Sequence, residues 1–167
     1  MSSGISNSYS PYVIIDRSFD AALDTSGSSA SNGGVVNQSN AIAQIRDTDL
    51  TTFLQVTTTL GTTPHTNVAQ IKLDFGKIFI NAQLYHKVDL TAFSAGTNAA
   101  AVEYSADGSS WTTIHSTGSG ANPQSYEENV TPFRIRYLRY TASITGGSSG
   151  GDACNVKLYE CRLAGSE

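Results

Sequence analysis

Between Ala69 and Phe75 the chain alternates without a break: Ala69, Ile71, Leu73 and Phe75 are apolar, and Gln70, Lys72 and Asp74 between them are polar. A period of two puts one set on each side of a pleated strand, so the segment predicts a strand with one buried face. The same period returns in Leu84 to Phe93, where Val88, Leu90 and Ala92 oppose Lys87, Asp89 and Thr91. Phe133 to Thr141 alternates as far as Tyr137 and then reverses at Leu138 and Tyr140. In Val156 to Leu163, Leu158, Glu160 and Arg162 oppose Tyr159 and Cys161. No segment sustains a helical period of 3.6. A chain of short strands must bury its faces by stacking sheet on sheet, and about eight such segments predict an all-β fold, an antiparallel β-sandwich or jelly roll.

Ala101 to Ile114 reads as a hairpin. Val102 and Tyr104 flank Glu103, Asp107-Gly108 supplies residues that tolerate positive φ, and Trp111 to Ile114 resumes a β-branched and aromatic run. Gly76-Lys77 reads as another turn. Residues 1–10 are polar and predict a flexible arm, residues 11–164 a single domain, and the Ser/Gly/Asn-rich stretch 25–40 a long loop within it. Chain length supports one core rather than two. Cys154 and Cys161 fall on one strand, where about 3.3 Å per residue separates them by roughly 23 Å, too far for a mutual disulfide. They are expected to be free thiols of a reducing compartment.

Only 14% of residues are charged and the net charge is −4, with no basic block. Such a surface attracts neither a phosphate backbone nor an anionic bilayer, so nucleic acid is not expected as a partner. No apolar run is long enough to span a bilayer, and the N-terminus lacks the basic start and apolar core of a secretory signal. The chain is expected to be soluble as made.

Catalytic signatures are missing. His65, His86 and His115 are scattered, without the companions that make a zinc site, and no nucleophile elbow or phosphate-cradling glycine loop occurs. Asp47 and Asp49, followed by Thr52, have a spacing that can wrap oxygens around a hard cation, and one that equally suits an Asp-rich turn capping itself.

Taken in order, RDTDLTTF at 46–53, IKLDFGKIFI at 71–80, VEYSADGSSWTTI at 102–114, IRYLRYT at 135–141 and VKLYECRL at 156–163 resemble the discoidin, or coagulation factor 5/8 type C, domain. They also resemble the related carbohydrate-binding modules with a galactose-binding-like jelly roll. The resemblance runs from about residue 40 to the end. It implies a structural calcium ion held by Asp47, Asp49, Thr52 and Glu160, with carbonyls near Gln44 to Arg46, and it implies that Trp111 packs in the core. Sugar-binding relatives often carry a histidine where this chain has Leu54 and an arginine where it has Phe93-Ser94, while Asn98 roughly matches a ligand contact. A sugar would then be held by Phe93 as a stacking face, His65 as a polar contact from a neighbouring loop, and Asn98.

The function implied is a non-catalytic module that recognises a cell-surface glycan through loops at one end of the sandwich, a role that would suit a host-recognition part of a phage or other virion. The alternative is a structural virion subunit, of tail, fibre or capsid decoration, that contacts other proteins or its own copies and binds no sugar. A start at Met, no secretion signal and a Ser/Gly-rich N-terminal portion motivate that alternative.

Overall fold

The computed structural model describes residues 13–14, 21–31, 34–46, 49–59, 65–93, 97–117, 124–132, 134–147 and 153–166. The expected N-terminal arm, residues 1–10, lies outside them. Four strands precede a short 3-10 helix, Ile42–Ile45: β1 (Val13–Ile14), β2 (Ala22–Asp24), β3 (Ser29–Ala30) and β4 (Val36–Ser39). Seven follow it: β5 (Leu54–Thr58), β6 (His65–Phe93), β7 (Thr97–Ser105), β8 (Thr112–Thr117), β9 (Gln124–Val130), β10 (Arg134–Gly147) and β11 (Ala153–Ser166). β3 and β4 fall inside the 25–40 stretch expected to be a loop. They are held by backbone pairing to β6 and β5, and all four β4 residues are exposed, so no apolar pattern announces them.

The pivotal strand is β6, which belongs to both layers. Residues 65–80 pair with β10, which continues through β7 to β8, while β2 and β3 line the other edge. Residues 83–93 pair with β11, which leads to β5 and β4, and residues 84–90 pair with β9. Ile80 is the hinge, because it is in register with Arg134 on one side and Ser166 on the other. Just beyond it, Asn81 takes the left-handed conformation (φ 49°) and the Ala82 N–H bonds the Pro132 carbonyl at 3.0 Å. Such a backbone suits asparagine better than a branched side chain.

The turn expected at Gly76-Lys77 does not end the strand. Residues 75–78 instead bulge out opposite the lone Arg136, with Gly76 at φ 75° and its N–H on Asp74 Oδ1. Asp74 also accepts both arms of the Arg136 guanidinium, at 2.8 and 3.0 Å.

Inward side chains of the two layers form one core. Leu54 and Val56 of β5, Ile71, Leu73, Leu84 and Leu90 of β6, Leu138, Tyr140 and Ile144 of β10, and Leu158 of β11 are all fully buried. A β11 bulge between Leu158 and Glu160 shifts the phase of its alternation, so Cys154 and Cys161 both face inward as buried thiols outside any disulfide. Strict alternation over their spacing would have put them on opposite faces.

The hairpin closes as expected. Asp107 Oδ1 accepts the Ser109 and Ser110 N–H groups at 2.7 Å each, which holds its carboxyl well below the usual carboxylate range, and Gly108 sits at φ 78°. Trp111 corrects the expectation of a core residue. Its ring lies outside the core, 3.9 Å from the Arg139 guanidinium, which is in turn bonded to Glu103. A large ring covering the apolar faces of a paired arginine fits the solvent side of a sheet.

Candidate functional site

Strand register brings the three expected ligand contacts to one end of the sandwich. β10 and β11 are joined by residues 148–152, so the strand ends they pair with lie at the same end: His65, opposite Gly147, and Phe93, opposite Ala153. Asn98, the second residue of β7, is in register with Ile144, which is in register with Asn67. The strand ends that flank residues 60–64, 94–96, 118–123 and 148–152 therefore all lie at this end. Asn98 is 4% exposed and Asn67 fully buried, so a polar row lies beneath the rim. The side chains of His65 and Phe93 lie outside the described part of the structure.

The expected calcium ligands sit elsewhere, low on the layer that contains β5. Asp47 lies outside the described residues. Asp49 Oδ1 accepts the Thr51 hydroxyl at 2.6 Å and the Thr51 N–H at 2.9 Å, in that order the causes that hold its carboxyl below the usual range. Thr52 Oγ1 lies 3.2 Å from the Gln44 carbonyl and 3.0 Å from the Asp49 carbonyl. Three hard oxygens thus share one corner. The 3-10 helix that carries Gln44 packs on β11, where Glu160 is fully buried. Arg162 Nε donates to its Oε1 at 3.1 Å, and Oε2 has no hydrogen-bond partner among the described residues.

A buried carboxylate oxygen without a partner costs several kcal/mol unless a cation or donor meets it, and oxygen-only donors suit a hard divalent ion. To that extent the residues fit calcium. Among the described residues, however, no group of three or more His, Cys, Asp and Glu side chains is arranged to hold a metal ion.

One grouping has no counterpart in the sequence reading: His86, His115 and Glu128 meet where β8 approaches β9. Sequence separation hides it, since only the register of β9 on β6 sets Glu128 beside His86.

These features define the class of molecule, an antiparallel β-sandwich. No protein-family model matches the chain, and no curated protein matches it. Among solved structures it is similar to CBM32-3 of a family 31 glycoside hydrolase from Clostridium perfringens, at 13% identity over 92% of this chain and 95% of that one, with a TM-score of 0.40. It is also similar to chitosan-binding module 1 of a chitosanase/glucanase from Paenibacillus sp. IK-5, at 17% identity over 89% and 97%, with a TM-score of 0.39. A third is CBM32-4 of another Clostridium perfringens protein, in complex with GlcNAc-α-1,4-galactose, at 15% identity over 80% and 90%, with a TM-score of 0.41. No helix among the described residues is long and apolar enough to cross a membrane.

Proposed function

We propose that the chain is a non-catalytic module that binds carbohydrate at the end of the sandwich where His65, Phe93 and Asn98 converge. The observation that carries this reading is the register, which gathers residues from positions 65, 93 and 98 at the ends of two layers. Sugar sites pair an aromatic platform with a few directed polar groups on a rigid frame, and Phe93, Asn98 and His65 are the residue types that such a set needs. A glycan array probed with the purified chain is expected to show binding. Phe93→Ala and Asn98→Ala are each expected to weaken it by about tenfold or more, the scale of one stacking or directed polar contact. Array silence together with an unchanged fold contradicts the reading.

Calcium belongs to the same proposal, as a structural ion near Thr52 and Glu160 that ties the segment before β5 to the last strand. Glu160 supplies the charge, and the Thr52 hydroxyl with the neighbouring carbonyls supplies neutral oxygens.

A second reading, a structural subunit that contacts its own copies, is favoured by β4. Among the described residues this strand is the outer edge of its layer, it is exposed throughout, and its first residue Val36 and the preceding Val35 are 37% and 54% exposed. An open edge with apolar side chains is a template for pairing with another chain. Light scattering that reports a defined oligomer, lost on Val36→Lys, supports it, and a monomer at all concentrations removes it.

A further inference from the structure

β8 is the edge of one layer and β9 the edge of the other, and neither contains a buried residue. Three side chains join them. His115 of β8 and Glu128 of β9 meet through Nε2 and Oε1, and the His115 ring stacks on Tyr126 with centroids 4.1 Å apart and planes 9° from parallel. Behind them, fully buried on β6, His86 points its Nε2 at the same carboxylate oxygen from 3.3 Å. That is ion-pair range, yet neither ring nitrogen of His86 has a hydrogen bond of good geometry among the described residues. The Tyr140 ring of β10, at 5.7 Å, and Cys161 of β11, in register with it, also face His86, and the buried Glu160 precedes Cys161 on that strand. On its own strand, Tyr85 and Lys87 point the other way, to Glu127.

We propose that this array is an acid-sensitive latch: a second proton on the imidazoles that share Glu128 releases the β8–β9 edge while the rest of the sandwich stays packed. One carboxylate carries one negative charge. It can neutralise one imidazolium, and two imidazoles reach for it. Glu128 is the one carboxylate whose charge is felt at the buried His86 among the described residues, so a second positive charge placed there goes unneutralised. Burial pushes the His86 pKa down to about 4, against the pull of Glu128 and with the help of His115.

Once the edge opens and water reaches His86, its pKa rises toward the ordinary value near 6.5. The contribution of the closed latch is therefore complete above pH 6.5 and falls away as the pH drops from 6.5 toward 4. Opening stays local because each strand has one partner in its own layer and sets only partly buried side chains, Ile114, Tyr126 and Val130, against the core.

Hydrogen exchange of the full chain at pH 7.0 and 4.5, corrected for intrinsic rates, tests this. Amides of residues 112–117 and 124–130 are expected to exchange roughly tenfold to a hundredfold faster at the lower pH, with β10 unchanged. His86→Leu removes the second proton site and is expected to reduce the difference to about threefold or less. His115→Gln, at a half-exposed position that tolerates the change, removes the imidazole that competes with His86 for Glu128 and is expected to shrink it as well. Should His86→Leu fail to give a cooperative melt, His115→Gln decides alone. No acceleration in the wild type, acceleration of β10 in step with the edge, or an undiminished difference in the variants overturns the proposal.

Discussion

Tyr140→Ala is expected to lower the unfolding free energy by about 3–5 kcal/mol, the range for deleting a large buried ring. Tyr140 stands at the middle of β10 with Ile71 on one side and Val102 on the other, and it ranks among the largest side chains fully buried in the core. Its ring faces the opposite layer, so alanine leaves a void that neither sheet can close without breaking a ladder of backbone bonds. For a domain of this size the loss corresponds to roughly 6–20 °C in Tm, measurable by calorimetry. Tyr140→Phe separates packing from polarity. The hydroxyl has no hydrogen bond of good geometry among the described residues and has the weakly bonding Cys161 thiol beside it, so phenylalanine is expected to cost less than about 1 kcal/mol. A similar loss for both variants contradicts this picture of the core.

Chelation is expected to act on the other half of the molecule. If calcium bridges Glu160 and the Thr52 corner, an ion at a thousand times its Kd stabilises the fold by about 4 kcal/mol, which EDTA removes. Melting in 1 mM calcium against melting in EDTA should then differ by roughly 8–16 °C. Glu160→Gln should melt at one temperature in both. Identical wild-type curves mean that Glu160 is held by Arg162 alone and that Asp49 only caps its own turn through Thr51.

Much of the architecture can be read from side-chain period, because burial acts on side chains. Ala69 to Phe75 and Val88 to Ala92 alternate in the sequence and in burial alike, and Asp107-Gly108 turns the hairpin that its residue types require. Features held by backbone bonds alone were not legible: β4 pairs through its main chain and buries none of its side chains. Phase shifts were not legible either, since the β11 bulge carries no marker residue and yet decides that both cysteines face inward.

Trp111 shows a different limit. Its residue type fits a core or a surface stack equally, and only the placement of Arg139 beneath it resolves the two. At the candidate ligand end, His65, Phe93 and Asn98 were nameable one by one, but their convergence is a property of strand register. The same holds for His86, His115 and Glu128, whose meeting needs the pairing of β9 on β6 and the approach of β8.

Backbone amide NMR of the labelled chain, titrated with the strongest glycan from the array, tests the central claim most directly. Binding at the convergent end predicts shift changes confined to residues 65–67, 91–99, 143–147 and 153–155. Changes centred on the outer faces or on the β4 edge, or none at saturating sugar, would contradict a carbohydrate site there.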